Sequence, residues 1–323
     1  MSRPRLYALD FLKAFAIIAV VFTHSGTVAW VKEGIDLVLT RIWTPYHVPA
    51  FLFASGYLYS TRAPVGWTVV GRRLIRVLVP YVIASAVAVA VGVCNPKDLR
   101  DFLWMLATGS ALGIYYYVFI ICCCIPLVWP LSRLPAFAIA ILWGACVVLV
   151  TAQELQPFRW STFSIFWSIR SPFDHFMLGY FFSGWLAALW HDQLVAFHER
   201  HRTTILAACL VGAVVGAIGN PTILKFGREW PRVLYSFSVI ILTARVFADR
   251  TPGPAIRFLS ETTLGLYLYH FILILFVTPW TAGWPLGLRI LAHAAVGLSG
   301  ATLLLLAARR LLGPARARAL VGA

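Results

Sequence analysis

The chain is dominated by continuous apolar runs of about twenty residues, separated by short connections that carry most of the charge. Apolar residues follow one another within each run and do not alternate with polar ones, which is typical of a membrane helix and not of a barrel strand. We therefore predict about ten transmembrane helices. Their ranges are 9–30, 44–61, 77–94, 113–131, 135–152, 173–190, 203–220, 231–248, 258–277 and 286–308.

One further apolar piece, 101–110, is too short to cross a bilayer and predicts a helix that lies at the interface or re-enters the membrane. No repeat with a period of 20–50 residues is visible, and no low-complexity tract or polar linker interrupts the chain. We expect a single all-α integral membrane domain that covers 1–323.

The composition excludes a soluble globular protein, because the chain is 60% hydrophobic and only 12% charged over 323 residues, whereas soluble domains carry about 25% charged residues. The net charge of +15 does not indicate nucleic acid, since the arginines lie in connections beside lipid headgroups. The six cysteines fall in or at the ends of apolar runs, without metal-ligand spacing or a disulfide framework, so we predict no metal site.

The distribution of cations predicts the topology. An even number of spans puts both termini on one side, and the connections on that side carry more arginine than the opposite ones. Both termini are therefore expected in the cytoplasm of a multi-pass plasma-membrane protein. The arginines that set this bias include Arg62, Arg72, Arg73, Arg76, Arg133, Arg200, Arg202, Arg250, Arg257, Arg309 and Arg310.

The first span, LDFLKAFAIIAVVFTHSG, contains Asp10, Lys13 and His24. Ionisable groups are costly inside a bilayer and usually face a protein interior or a water-filled cavity. Lys13 and His24 are eleven positions apart, about three helical turns or 16 Å along one face, and Asp10 can pair with Lys13 one turn away. These residues alone leave two interpretations open: a functional polar track, or interfacial charges that reach water beside a packed histidine.

The second span, TPYHVPAFLFASGYLYS, places His47 near its outer end, at about the depth expected for His24. Pro45 and Pro49 predict a break at the start of this helix, and Ser55-Gly56 predicts a point of close helix packing. His47 is equally consistent with a supporting role and with an interfacial histidine that has none.

A cluster of arginines precedes and opens the third span in the segment GRRLIRVLVPYV. Arg72, Arg73 and Arg76 fall within about one turn, and guanidinium groups bind phosphate in a bidentate manner. The cluster therefore predicts a grip for a phosphate-bearing donor from the cytoplasm. The alternative is ordinary positive-inside charge in contact with lipid headgroups.

These stretches together resemble the acyltransferase type 3 family of membrane O-acyltransferases. Lys13 and His24 match that family's pattern of Arg or Lys, ten residues and His, with lysine in place of the commoner arginine. The stretch HVPAFLFASGY is similar to the second span of the fucose-acetylase-like branch. Arg73 and Arg76, followed by Pro80, match its Arg-x-x-Arg motif.

The resemblance continues to the end of the chain. The stretch LSETTLGLYLYHFIL is similar to the family's Ser-Leu-Gly-Ile-Tyr-Leu-x-His span, and it places Thr263, Gly265, Tyr267 and His270 on that pattern. Thr263 stands where serine is usual. The motifs occur in the family's order over the whole length, which makes the set more specific than any single motif.

The resemblance implies transfer of an acyl group, most simply acetyl from acetyl-CoA, to a hydroxyl of a glycan, glycolipid or other acceptor at the outer face. Arg73 and Arg76, with Arg72 beside them, would hold the phosphates of the acyl-CoA co-substrate, and no tightly bound cofactor is expected. His24 would act as base or nucleophile, roles that histidine fills near neutral pH. Lys13 would contact the donor or set the potential of the cavity.

A carboxylate that orients the histidine is also expected. The candidates are Asp10, Asp174 and Glu261, although Asp10 lies about 20 Å along the helix from His24. His47 and His270 are further candidate supporting residues. Two other functions fit an apolar bundle with a polar core. A transporter or flippase of a polar or lipid-linked substrate would show inverted repeats, and a signalling or scaffold protein would leave Lys13 and His24 without a role.

Overall fold

The computed structural model describes residues 6–29, 36–155, 176–218 and 229–323, and the secondary structure within these ranges is helical. The α-helices, numbered α1 to α15 in chain order, are Tyr7–Ala29, Asp36–Tyr59, Trp67–Ala90, Leu99–Thr108, Tyr116–Leu131, Ala136–Leu155, Met177–Leu189, His191–Arg200, Arg202–Ile218, Trp230–Val246, Pro254–Glu261, Thr263–Val277, Leu286–Ala295, Ala301–Leu312 and Pro314–Val321. A 3₁₀ turn covers Thr278–Thr281, and a π-helical segment, Val296–Gly300, joins α13 to α14.

The prediction of an all-helical membrane protein is confirmed in outline. Each predicted span overlaps a helix, and within the described residues four segments are long and apolar enough to cross a membrane. These segments are Tyr7–Gly26, Trp67–Ala90, Thr263–Thr281 and Leu286–Leu312. The pair α8 and α9, bent by 95°, would make a fifth. The chain is therefore a polytopic membrane protein, while ten spans and cytoplasmic termini stay predictions.

Two helices begin earlier than predicted. Helix α3 starts at Trp67, so the arginine cluster lies within its first turns and not in the preceding connection. Arginine is a good helix former and does not end a helix, whereas Gly92, with φ of 74°, follows the helix end. Helix α2 starts at Asp36, upstream of Pro45 and Pro49, so the expected break at these prolines is wrong. Proline is tolerated in membrane helices where neighbouring groups satisfy the freed backbone.

The short apolar piece forms α4, an amphipathic helix with a cap at each end. The Asp98 side chain accepts a hydrogen bond from the Asp101 backbone at 2.7 Å, and Gly109 closes the helix in the left-handed conformation. Leu99 is 72% exposed, and Leu103 and Trp104 are exposed beside it. An apolar face of this kind on a short capped helix is typical of a helix that lies in the membrane interface.

The predicted span 258–277 is divided at Thr262 into α11 and α12. The hydroxyl of Thr262 donates to the Phe258 carbonyl at 2.7 Å, and the hydroxyl of Thr263 donates to the Leu259 carbonyl at 2.8 Å. Threonine hydroxyls that bond back to the preceding turn compete with the backbone ladder and bend helices. The two adjacent threonines therefore account for the break.

The chain divides into two compact units, which are described separately. The first unit comprises Met1–Leu12, Pro45–Val70 and Cys123–Thr251. The second unit comprises Lys13–Thr44, Gly71–Cys122 and Pro252–Ala323.

In the first unit, α2 and α7 pack backbone against backbone through two glycines. A Cβ atom on Gly56 would collide with the Phe181 carbonyl oxygen, and one on Gly184 would collide with the Phe53 carbonyl oxygen. Such reciprocal contacts replace the side-chain layer that normally separates helices in a membrane. The close-packing point predicted at Ser55-Gly56 is confirmed.

We expect Gly56→Ala and Gly184→Ala each to destabilise the protein by about 1–3 kcal/mol, because the added methyl group meets main-chain atoms that cannot move aside. The matched control is Gly144→Ala in α6, where a Cβ meets nothing within 4 Å. Thermal unfolding of the purified variants in one detergent measures the effect. Equal melting temperatures for Gly56→Ala and Gly144→Ala would contradict the packing described here.

Candidate active site

Two histidines of the second unit lie side by side on different helices. The ring centroids of His24 in α1 and His270 in α12 are 5.5 Å apart, with an angle of 35° between the ring planes. Phe271 lies edge-on to His24 at 5.2 Å. His24 is half-buried, whereas His270 has no exposed surface. The two imidazole rings are therefore direct neighbours within the second unit.

The protonation pattern of His270 follows from its hydrogen bond to the helix. Its Nδ1 lies 3.0 Å from the Leu266 carbonyl oxygen, which can only accept, so Nδ1 carries the proton of the neutral ring. The lone pair is then on Nε2, which is buried and has no hydrogen-bond partner in the part of the chain that the structure describes. His270 thus presents an acceptor nitrogen inside the protein.

Reciprocal hydrogen bonds tie α12 to the segment that opens α5. The Tyr115 hydroxyl donates to the Leu268 carbonyl at 2.8 Å, and the Tyr267 hydroxyl donates to the Ile114 carbonyl. Both tyrosines are buried. Because a buried hydroxyl without a partner is costly, the two bonds together fix how far α12 can rotate or slide. The position of His270 depends on that restraint.

Lys13 and Thr263, from the first and last motifs of the sequence, meet at one main-chain oxygen. The Lys13 ammonium donates to the Ser260 carbonyl at 3.3 Å, and the Thr263 hydroxyl donates to the same oxygen at 2.9 Å. Ser260 is in the last turn of α11, where helix carbonyls lack an intrahelical partner and attract cations. The Thr263 hydroxyl is thus part of this junction.

The arginine cluster is accessible at the start of α3. Arg72 and Arg76 are exposed, and Arg73 is half-buried. All three belong to the second unit, as do Lys13 and the two histidines. Three guanidinium groups within two helical turns form a concentrated positive site that suits a polyphosphate.

Three of the other predicted supporting residues belong to the part of the chain that the structure describes. Asp10 and His47 are buried in the first unit, and Glu261 is exposed at the end of α11. Asp174 lies outside the described residues. The imidazole of His270 lies beside that of His24. Within the described residues, no three His, Cys, Asp or Glu side chains are grouped so as to hold a metal ion.

Sequence reasoning missed His293, a third histidine of the second unit. It is completely buried in α13, and its Nε2 lies 2.8 Å from the Thr281 hydroxyl. The Ser25 carbonyl, next to His24 in the chain, also lies beside the His293 ring. His293 therefore lies next to the end of α1 that carries His24. An ionisable residue in the apolar span 286–308 was a signal that could have found it.

The π-helical segment Val296–Gly300 brings the same helices into close contact. A Cβ on Gly297 would lie 3.0 Å from the Ile274 side chain and 3.1 Å from the Val21 side chain. These two residues are on α12 and α1, the helices that carry His270 and His24. Single π-helical turns occur often at functional sites, because the wider turn re-aims the neighbouring side chains.

A comparison with known protein families finds a match to this chain. The family acyltransferase 3, described as an acyltransferase domain, matches 6–308, nearly the whole chain. The chain therefore belongs to this family, and it is a membrane acyltransferase that requires an acyl donor and an acyl acceptor. No curated protein and no solved structure matches it. The family assignment favours an enzyme over the transporter and scaffold alternatives.

We expect the Thr281 and His293 side chains to be energetically coupled by about 1 kcal/mol, because removing either side chain deprives the buried polar atom of the other of this hydrogen bond. A double-mutant cycle with Thr281→Val and His293→Leu, followed by thermal unfolding, measures this coupling. Thr278→Val is the matched control, since that hydroxyl donates to the Ile274 carbonyl. Additive effects of Thr281→Val and His293→Leu would argue against the contact.

Proposed function

We propose that this acyltransferase moves an acetyl group from cytoplasmic acetyl-CoA to a hydroxyl of an extracytoplasmic carbohydrate or lipid-linked glycan in the plasma membrane. The observation that carries the proposal is the pairing of His24 with His270, whose buried Nε2 is an acceptor. The similarity of HVPAFLFASGY to the fucose-acetylase-like branch supports a sugar acceptor. The concentration of arginine in the connections assigned to the terminal side supports access of the donor from the cytoplasm.

In this proposal His24 is the general base. It takes the proton of the acceptor hydroxyl as that oxygen attacks the thioester carbonyl carbon, so that a C–O bond forms while the C–S bond breaks. The proton then passes from His24 to the departing thiolate, which leaves as CoA with a free thiol. His24 is half-buried and can meet both substrates, whereas His270 has no exposed surface.

His270 takes the part for which a carboxylate was expected. A neutral imidazole that donates through Nδ1 to Leu266 can only accept at Nε2. It can therefore accept an N–H of His24 or the acceptor hydroxyl, and either bond orients the reacting group. The restraint of α12 through Tyr115 and Tyr267 supports this role, because acid–base catalysis needs the two groups within hydrogen-bond distance.

In this proposal the arginine cluster and Lys13 bind the acetyl-CoA donor. Arg73 and Arg76, with Arg72 beside them, would hold the phosphates of the CoA moiety by charge-assisted hydrogen bonds. Lys13 lies about 16 Å along α1 from His24, a distance that the extended pantetheine arm spans. Lys13 would contribute a positive potential along that path while its bond to the Ser260 carbonyl holds α1 against α11.

His24→Ala should lower transfer at least about 100-fold, because the proton of the acceptor hydroxyl loses its base, and His270→Ala should also lower it. Purified protein is incubated with labelled acetyl-CoA, and label in the acceptor fraction is counted. His201→Ala, which alters an exposed histidine at the end of α8, is the matched control. Full transfer by a folded His24→Ala variant would contradict the assignment of His24 as the general base.

Arg73→Ala and Arg76→Ala should raise the KM for acetyl-CoA at least about tenfold each and change kcat less, because phosphate contacts contribute to binding of the donor and not to the chemical step. Arg310→Ala in α14, which removes another exposed arginine, serves as the control. Initial rates over a range of acetyl-CoA concentrations separate the two constants. An unchanged affinity for acetyl-CoA in both variants would refute the donor grip.

A further inference from the structure

The first unit contains a cavity that the acyl-transfer chemistry does not use. Its volume is about 510 Å³, within the usual size of a small-ligand pocket. Apolar side chains from five helices form most of its wall, among them Leu9 of α1, Phe53 of α2 and Ile240 of α10. The described residues that line it all belong to the first unit, whereas the two histidines belong to the second.

Arg245 lines this apolar cavity, and one N–H donor of its guanidinium lacks a hydrogen-bond partner among the described residues. Its side chain is only 8% exposed and forms an ion pair with Glu199, with Nη1 2.8 Å and Nη2 3.3 Å from the two carboxylate oxygens. Its Nε is buried and has no hydrogen-bond partner in the ranges that the structure describes. A buried donor without an acceptor is costly. Arg245 lines the cavity, so a turn of its guanidinium toward a ligand there would give Nε an acceptor atom and remove that cost.

The other polar groups at the cavity carry both signs. His191 is occupied by the Tyr57 hydroxyl, which lies 3.0 Å from its Nδ1, and His198 lies on the same wall. Asp249 adds an exposed carboxylate to that of Glu199. One guanidinium and two carboxylates do not suit a purely anionic head group. They suit one that carries a phosphate and an ammonium group together.

The surroundings of the cavity point to the bilayer as the source of the ligand. Helix α8 supplies Leu194 and Val195 to the wall, and these are 38% and 47% exposed. The helix bends by 95° from α9, which exposes an apolar face including Leu210 and Val214. A polar, amphipathic helix set across an apolar one is typical of the boundary between headgroups and acyl chains. The wall that α8 contributes to the cavity is therefore where we expect contact with lipid.

We propose that this cavity is a binding site for a zwitterionic glycerophospholipid. An acyl chain fills the apolar part, and a phosphate oxygen accepts a hydrogen bond from Arg245 Nε. The head-group ammonium lies by the carboxylates of Glu199 and Asp249. The bound lipid completes the first unit and takes no part in acyl transfer.

Two variants test the site by different routes. Ala244→Phe places a larger side chain in the cavity without changing the charge of the lining residues. Arg245→Lys keeps the positive charge but removes the Nε donor. The matched controls are Ala208→Phe on the exposed face of α9 and Arg310→Lys in α14. Each full-length protein is reconstituted in vesicles of equal parts phosphatidylethanolamine and phosphatidylglycerol, re-extracted in mild detergent and examined by native mass spectrometry.

We expect wild type and both controls to retain one phosphatidylethanolamine, with retention at least about tenfold lower in Ala244→Phe and Arg245→Lys. Equal retention in all proteins, or retention of phosphatidylglycerol, fatty acid or detergent in its place, would overturn the proposal. Ala244→Phe should keep the wild-type KM for acetyl-CoA. A tenfold rise would assign the cavity to the donor and also overturn the lipid site, whatever becomes of the role of His24.

Discussion

Main-chain carbonyl groups of α11 and α12 are the acceptors on which the candidate active site depends. In an apolar interior a buried polar side chain needs a partner, and water is scarce. Ser260 accepts from Lys13, Leu266 from His270 and Leu268 from Tyr115. Each bond uses an oxygen whose place is set by the helix itself. These side chains are therefore held by a rigid element.

The break at Thr262 makes one of these carbonyl groups available. In an unbroken helix the Ser260 carbonyl would be taken up by the backbone four residues later. Because the helix is interrupted, that oxygen is available to Lys13 and to the Thr263 hydroxyl. The junction unites α1 with the two helices on either side of the break. The lysine at this position is thereby part of the scaffold as well as a source of charge.

Much of this could be predicted from the sequence, because ionisable residues in apolar runs are conspicuous. Lys13, His24 and His270 were identified on that ground and on the resemblance. His293 shows the same signal but lies outside every motif considered. Helix α3 starts upstream of its predicted start because arginine extends a helix readily, so a cluster of three arginines does not mark a connection. Partners distant in the chain, such as Tyr267 and Ile114, leave no local pattern to detect.

The π-helical segment after His293 has a consequence for how this part of the chain tolerates length changes. A π turn holds one residue more than an α turn, which is equivalent to an insertion of about 100° of rotation in a continuous helix. Deleting one residue within Val296–Gly300 would restore a regular helix. The part of the helix that carries His293 would then rotate relative to the part that carries Leu305. With Leu305 kept in its buried place beside Gly265, His293 would turn away from Thr281. Homologous chains should therefore conserve the number of residues between His293 and Leu305 more strictly than the identities of those residues.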